Sequence, residues 1–310
     1  MESVRVKSER ISFSGKKSLF SFMEVSIASL KRSGRVRTSE TYMTTLSSFM
    51  KFMSGKDVML CSLDSELVAA YETHLKDLGI SMNTISFYMR ILRAVYNSAV
   101  EKGMTRQRFP FKHVYTGIDK TVKRAVSFKV IKQIKALELD HSHTLSYARD
   151  MFLFSFYTRG MSFIDMAYLK KKDLNDGILS YRRKKTGQLL AIKWEQCMQD
   201  ILERYPINTS QYLLPIIGKI GKDERRQYKN AISLVNRKLR EIGTQLGLSH
   251  NLTLYVARHS WASIAKEKNI PISIISEGMG HDSEKTTSIY LASLDNAVVD
   301  NANSLILNDL

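Results

Sequence analysis

Cysteine and proline are scarce in this sequence. Its 310 residues include two cysteines and four prolines. Cys61 and Cys197 lie far apart and form no C-x-x-C pair, so neither a disulfide framework nor a zinc site is indicated. His141 and His143 lack carboxylates or cysteines at metal-ligand spacing, which favours a solvated loop. We therefore expect no metal site.

Long hydrophobic runs are absent as well. No apolar run approaches the roughly 18 residues that a helix needs to span a bilayer. The first residues, MESVRVKSERIS, are charged where a signal peptide would be apolar. A P-loop and a carboxylate cluster for Mg²⁺ are also missing, so no nucleotide or other cofactor is expected. These absences predict a soluble, cytoplasmic protein without a membrane partner.

Acidic residues are outnumbered by basic ones. The sequence contains 47 Lys and Arg against 30 Asp and Glu, a formal net charge of +17. Such an excess favours a polyanionic partner, most often a nucleic acid, although charge alone can serve solubility. A chain of 310 residues also exceeds what a single core usually holds, so we expect two domains.

The first part of the chain has the pattern of a helical bundle. Residues 1–17 are polar and basic without periodicity, which predicts a flexible N-terminal arm. Apolar positions then recur at three- and four-residue spacing in four stretches: 18–32, 38–53, 63–78 and 82–102. We predict a helical domain over 18–105. The basic turn 31–37, with Arg90 and Arg93, is a candidate for phosphate contacts.

The second part mixes helices with a hairpin. Basic residues with Pro110 and Gly117 predict a linker over 106–126. Helical patterns follow at 127–139, 145–157, 195–204 and 223–246, and shorter ones surround Arg258 and Tyr290. Alternation on both sides of Thr186-Gly187 predicts a β-hairpin over 177–192. The fold class is therefore mainly α with a small antiparallel hairpin, with a second domain over 127–294 and a tail over 295–310.

Three linked motifs near the end of the chain carry an arginine, a histidine and a tyrosine in fixed order. They read Tyr255-Val-Ala-Arg258-His259, Met279-Gly280-His281 and Thr286-Thr-Ser-Ile-Tyr290. Each residue alone is usually a surface or core residue with a satisfied partner. Together they resemble the tyrosine recombinase (phage integrase) family, whose motifs are H-x-x-R-H, L-G-H and T-x-x-I-Y.

The resemblance implies a fold, a partner and a reaction. It implies an N-terminal helical core-binding (SAM-like) domain and a mixed α/β catalytic domain that clamp double-stranded DNA. Tyr290 would form a covalent 3′-phosphotyrosyl intermediate, with Arg258 and His281 as donors to the phosphate. On the hairpin, Lys185 matches the family lysine that protonates the leaving oxygen. For Arg182, Arg183 and Lys184 we favour general phosphate attraction or a solvated face.

The sequence departs from the family at the first catalytic arginine. Residues 158–169 resemble the box T-G-x-R-x-x-E-x-x-x-L, but the arginine position falls on Ser162. Arg159 lies three residues earlier, and on a continuous helix it would share a face with Ser162. We predict that Arg159 supplies the guanidinium. A break at Gly160 would weaken this argument, and a salt bridge from Arg159 to Asp165 or Asp150 is the competing interpretation.

A second departure is Tyr255, which stands where the family usually has histidine. A phenol can donate a hydrogen bond to a phosphate oxygen, but its pKa near 10 makes it a poor proton carrier at neutral pH. Tyr255 is therefore a less secure member of the catalytic set than Arg159, Lys185, Arg258 or His281. It could equally be a packed aromatic with a locally bonded hydroxyl.

Function and assembly follow from the resemblance. We predict a site-specific DNA recombinase acting in integration, excision or inversion, monomeric when free and tetrameric on paired sites. DNA-bending accessory proteins are possible partners. The tail over 295–310 would dock on a neighbouring protomer or fold back on its own domain. A catalytically impaired DNA-binding protein is the alternative function, and a type IB topoisomerase-like enzyme is a third.

The charge excess generates a direct prediction. If phosphate contacts dominate binding, the logarithm of the association constant for duplex DNA should fall steeply and linearly with the logarithm of salt concentration, because bound phosphates release counterions. Fluorescence anisotropy titrations between 50 and 300 mM NaCl would measure the slope. A flat dependence would contradict the two-domain clamp.

Overall fold

The computed structural model describes residues 18–119 and 125–291. Its backbone contacts divide the chain into two units, Met1–Thr121 and Val122–Leu310. The predicted N-terminal arm, residues 120–124 of the predicted linker and the predicted tail over 295–310 lie outside the described residues.

The first unit contains four helices. They are α1 (Leu19–Arg32), α2 (Val36–Phe52), α3 (Ser65–Asp77) and α4 (Met82–Glu101). Their ends lie within two residues of the stretches that the apolar spacing predicts. The aromatic side chains of these stretches form the core, where Phe22, Phe49, Tyr71 and Tyr96 are almost completely buried. The Ser18 hydroxyl caps α1 by accepting a hydrogen bond from the Ser21 N–H.

The segment after α4 folds back along that helix. The Tyr96 hydroxyl donates to the Arg106 carbonyl at 2.8 Å, and the Ser86 hydroxyl donates to the Gly117 carbonyl at 2.6 Å. The Asn83 side-chain amide donates to the Asp119 carbonyl at 2.9 Å. Residues 106–119 of the predicted linker are therefore held against the first unit by hydrogen bonds, whereas Val126 belongs to the second unit, where its N–H donates to the Ser260 hydroxyl at 2.9 Å.

The second unit combines helices with a three-stranded antiparallel sheet of order β1-β2-β3. Its elements are α5 (Phe128–Ala136), α6 (His143–Tyr157), α7 (Phe163–Tyr168), β1 (Leu174–Asn175), β2 (Ile178–Arg182), β3 (Leu189–Lys193), α8 (Gln196–Glu203), α9 (Glu224–Gln245), α10 (Leu254–Glu267), α11 (Ile272–Met279) and α12 (Glu284–Leu291). The predicted fold class is confirmed.

Helix α6 lies at the centre of the second unit. It is apolar on nearly every side, as its sequence predicts, and it packs against α8, α9 and α10. Its one buried carboxylate, Asp150, accepts hydrogen bonds from Arg149 at 3.0 Å, Arg204 at 2.8 Å and the Tyr205 hydroxyl at 2.9 Å. These partners compensate the buried charge and fix the helix whose C-terminus leads into Arg159.

Two elements differ from the sequence-based expectation. The patterns described above predicted neither β1 nor α11. In the structure Gly278 is helical, and only Gly280, with φ +63°, ends the helix in the left-handed conformation. Two helical turns after Pro271 are too few to establish a periodic pattern.

Over residues 18–119 and 125–291, no helix is both long enough and apolar enough to cross a bilayer.

Candidate active site

Arg258 connects three segments of the second unit. It lies on α10 with only 7% of its surface exposed. Its Nη1 donates to the Gly160 carbonyl at 2.8 Å, and its Nη2 donates to the Met279 carbonyl at 2.7 Å. A planar guanidinium can bond two carbonyls from different segments at once. Arg258 thereby holds the turn after α6 and the end of α11 on either side of α10.

Gly160 permits this close approach. Its φ is +75°, and a Cβ atom built on it would lie 2.6 Å from the Cα of Arg258. No side chain fits there without moving α10 or the turn. The glycine also ends the helical conformation before Ser162, so the turn from Thr158 to Gly160 separates α6 from α7.

His281 lies directly after the end of α11. Its Nε2 is 3.0 Å from Nη2 of Arg258, and its Nδ1 is 2.8 Å from the Thr287 hydroxyl. Burial, together with the positive charges of Arg258, Arg183 and Lys185, lowers the pKa of His281 to about 4, although Asp282 acts in the opposite direction. The ring is therefore neutral at physiological pH.

The contact with Arg258 also assigns the tautomer of His281. Arginine only donates hydrogen bonds, so Nε2 must be the acceptor and the ring proton must lie on Nδ1, which donates to Thr287. In this arrangement His281 accepts a hydrogen bond at Nε2, whereas the sequence predicts it as a donor to phosphate.

Arg183 belongs to the same cluster. The expectation that its side chain lies on a solvated face was therefore wrong. It is only 8% exposed, and its Nη1 donates to the Gly280 carbonyl. The period of two along β2 could have identified it, because Leu179 and Tyr181 face the core and Arg183 is the next position on that face. A basic residue in a core-facing position needs a polar partner, and the end of α11 provides one.

Arg159 reaches the cluster by a different route from the predicted one. Helix α6 ends at Tyr157, and Gly160 has a positive φ that no α-helix contains. Arg159 and Ser162 therefore do not share a helix face. Arg159 has φ +60°, and its Nη1 lies 3.4 Å from the Ala191 carbonyl. Its Cδ is 3.6 Å from the position of a Cβ built on Gly278. The guanidinium therefore extends beside the last turn of α11.

The competing salt bridges of Arg159 are not formed. Asp150 binds the arginines and tyrosine of the α6 network. Asp165 accepts from the Ser162 hydroxyl at 2.6 Å and from the Lys184 N–H at 2.7 Å. Ser162 caps α7 by accepting from the Asp165 N–H. The Ser162–Asp165 pair thus fastens the hairpin to α7 and leaves Arg159 on the side of α11.

Lys185 and Tyr255 lie at the exposed edge of the cluster. Lys185 is exposed in the connection between β2 and β3 and is close enough to influence His281. Tyr255 is 60% exposed, with its ring edge-on to His259 at a centroid distance of 4.5 Å. The ring thus packs against His259 at the surface, and neither the catalytic nor the packing interpretation of Tyr255 is decided by this contact.

The predicted nucleophile is placed on a helix. Tyr290 lies on α12, which follows His281 after a short turn. The structure describes this residue only as part of that helix.

The cluster concentrates positive charge around one helix end. Arg258 and Arg183 donate to the carbonyls of Met279 and Gly280, and Arg159 lies beside Gly278. Bidentate cationic donors of this kind suit a phosphate whose non-bridging oxygens gain charge during reaction. In the described part of the chain, no three His, Cys, Asp or Glu side chains come close enough to hold a metal ion.

Each of the two units matches the model of a known protein family. The family model for the phage integrase SAM-like domain matches residues 18–116, and the model for the phage integrase family matches residues 127–297. The tyrosine recombinase XerA of Pyrococcus furiosus is 28% identical over 225 residues, which cover 70% of this chain and 72% of that protein. The tyrosine recombinase XerC of Treponema denticola is 24% identical over 274 residues, covering 82% and 87%.

Solved structures share the fold. A lambda integrase tetramer bound to a Holliday junction superimposes with a TM-score of 0.68 at 17% identity, covering 95% of this chain and 83% of that one. The XerH recombinase bound to its difH substrate gives a TM-score of 0.61 at 19% identity, covering 92% and 83%.

The close approach of Gly160 to Arg258 generates a prediction about stability. Gly160→Ala should lower the free energy of unfolding by about 1–2 kcal/mol for the left-handed backbone and by roughly a further 1–3 kcal/mol for overpacking against Arg258. Urea unfolding would measure both contributions.

Gly177→Ala is the matched control. Gly177 has φ +72°, and a Cβ there meets no atom within 4 Å. The Gly177→Ala variant should therefore lose only the part of the free energy of unfolding that comes from the left-handed backbone conformation. Equal losses in the two variants would mean that the turn relaxes away from α10 without consequence.

Proposed function

Since the chain belongs to the phage integrase family and is a site-specific DNA recombinase of the tyrosine type, we propose that it exchanges DNA strands through a covalent intermediate on Tyr290. The observation that carries the proposal is the convergence of Arg258, Arg183, Arg159 and His281 on one side of the helix that precedes α12.

The reaction is a pair of transesterifications. The Tyr290 hydroxyl gives its proton to solvent water and its oxygen attacks the scissile phosphorus, and nearby cations favour this step by stabilising the phenolate. The 5′ oxygen departs with a proton from Lys185, and the 3′ phosphate stays on the tyrosine. Arg258 and its neighbours stabilise the extra negative charge on the non-bridging oxygens. The covalent link retains the phosphodiester energy, so religation requires no nucleotide.

Two arginines are candidates for the guanidinium that Ser162 cannot supply. Arg159 extends beside α11 without an acidic partner among the described residues, which supports its availability for a phosphate. Arg183 is more deeply buried and already donates to the Gly280 carbonyl. We assign the phosphate contact to Arg159 and a supporting contact to Arg183, which holds the backbone next to His281.

Partners and assembly follow the family. Duplex DNA is the substrate, and the DNA-bound tetramer among the structural neighbours supports multimerisation on paired sites. We propose that the free protein is largely monomeric, since a net charge of +17 favours self-repulsion. The segment 295–310 would dock on a neighbouring protomer in the assembled complex, DNA-bending proteins would assist it, and the reaction would occur in the cytoplasm.

A suicide substrate tests the proposed reaction. Binding sites would be selected from a random duplex library, and the recovered duplex would be nicked so that the cleaved strand diffuses away. We expect a covalent protein–DNA adduct that is absent in Tyr290→Phe, with peptide mass spectrometry locating the DNA on Tyr290. Tight binding without an adduct would instead support the alternative, a DNA-binding protein that has lost catalysis.

Single-turnover cleavage of the same substrate tests the two arginines. Arg159→Ala should leave DNA binding nearly intact and lower the cleavage rate by about 10²–10³, as is typical when a transition-state charge donor is lost. Arg182→Ala is the control, since Arg182 is an exposed cation of the same hairpin.

The outcome assigns the roles of both arginines. Rescue of Arg159→Ala by Ser162→Arg would indicate that the two positions address one phosphate. The single variant Ser162→Arg is the control, because it measures how far loss of the Ser162 cap of α7 changes the cleavage rate. Near-normal cleavage by Arg159→Ala together with a large loss in Arg183→Ala would transfer the phosphate contact to Arg183.

A further inference from the structure

Helix α12, which carries Tyr290, packs against α10 and α11. Leu291 is buried in a cluster that is separate from the main core; its buried members are Ala262, Ala265, Ile275, Met279 and Leu291. The polar part of the interface is Thr287, which is completely buried and hydrogen-bonded to Nδ1 of His281 at 2.8 Å.

The hydrogen bond between Thr287 and His281 has a defined direction. Because Nη2 of Arg258 donates to Nε2, the imidazole proton lies on Nδ1 and the Thr287 oxygen accepts it. Without that acceptor, Nδ1–H would lose the hydrogen bond that ties it to α12. The opposite tautomer would place an N–H against the N–H groups of Arg258. Thr287 therefore keeps the lone pair of Nε2 directed towards Arg258.

Thr287 is also rigidly connected to the nucleophile. The two residues are three positions apart on α12, which places them on neighbouring turns of one helix, about 4.5 Å apart along its axis. A displacement of α12 that moves Tyr290 must move the Thr287 hydroxyl as well. The orientation and tautomer of His281 thus depend on whether α12 is docked.

We propose that Thr287 is a positioning residue that couples the docking of the nucleophile helix to the orientation of His281. The inference rests on the proposed function, in which Tyr290 attacks the phosphate and Arg258, the hydrogen-bond partner of His281, stabilises its charge. When α12 is docked, Thr287 holds His281 with Nε2 towards Arg258. When α12 moves away, His281 loses this constraint, so the nucleophile and the charge-stabilising groups are assembled together or not at all.

The competing interpretation is that Thr287 only fills space between α11 and α12. Its methyl group would then account for its burial, and the hydroxyl would be incidental. The two interpretations differ in what removal of the hydroxyl alone should do.

Three variants separate these interpretations. Thr287→Val keeps the branched shape and removes the acceptor, Thr287→Ser keeps the hydroxyl and removes the methyl group, and Ser288→Ala removes an exposed hydroxyl from the adjacent position. The first measurement uses ¹⁵N chemical shifts of the His281 ring nitrogens in the full-length, DNA-free protein, which report the tautomer. The second is the single-turnover rate of adduct formation on the nicked duplex selected above.

We expect Thr287→Val to lose the single Nδ1–H tautomer and to form the adduct about 10- to 100-fold more slowly, by analogy with the loss of the partners that orient metal-binding histidines. DNA affinity should be unchanged. Thr287→Ser should retain the tautomer and most of the rate, because serine supplies the same acceptor. Ser288→Ala should match the parent protein in both measurements.

Two results would overturn the inference. One is an unchanged Nδ1–H tautomer in Thr287→Val, and the other is a loss of rate in Thr287→Ser as large as in Thr287→Val, which would make the methyl group the important part. If the parent protein forms no adduct while its tautomer responds to Thr287→Val as expected, the proposed reaction fails but the link between Thr287 and His281 stands.

Discussion

The bridge from Arg258 to the carbonyls of Gly160 and Met279 is the constraint on which the candidate site depends. A buried guanidinium must have its hydrogen-bonding capacity satisfied, and here two backbone segments distant in sequence satisfy it. The turn after α6 and the end of α11 are consequently fixed relative to α10. His281 follows directly from the fixed end of α11, and α12 follows from His281. The position of each candidate residue can thus be traced back to one side chain.

Much of the fold could be predicted because its signals are local and repeated. The four helices of the first unit, the apolar α6 and the hairpin each show a period of 3.6 or 2 over enough residues to be read. Helix α11 was missed since eight residues after a proline give no clear period. The strand β1 is only two residues long, and its pairing with β2 depends on a tertiary arrangement that no short stretch of sequence encodes.

The site was less predictable than the fold, for reasons that individual residues make clear. Arg258, His281 and Tyr290 were found through motif spacing, whose catalytic meaning remains a prediction. Arg183 was overlooked because it lies among similar basic residues, although continuing the alternation of β2 by one step would have indicated its burial. The helical argument for Arg159 failed because α6 ends at Tyr157 and Arg159 itself, like Gly160, adopts a positive φ.

The partners of Arg258 and Arg183 at the end of α11 have a consequence for electrostatics. Carboxylates would have satisfied the same N–H groups, but each would also have cancelled a unit of positive charge. Carbonyl oxygens at a helix C-terminus carry only the partial negative charge of the helix dipole. These hydrogen bonds orient the guanidiniums without neutralising them. At these two contacts the protein thereby uses uncharged hydrogen-bond acceptors, which orient positive charge without cancelling it.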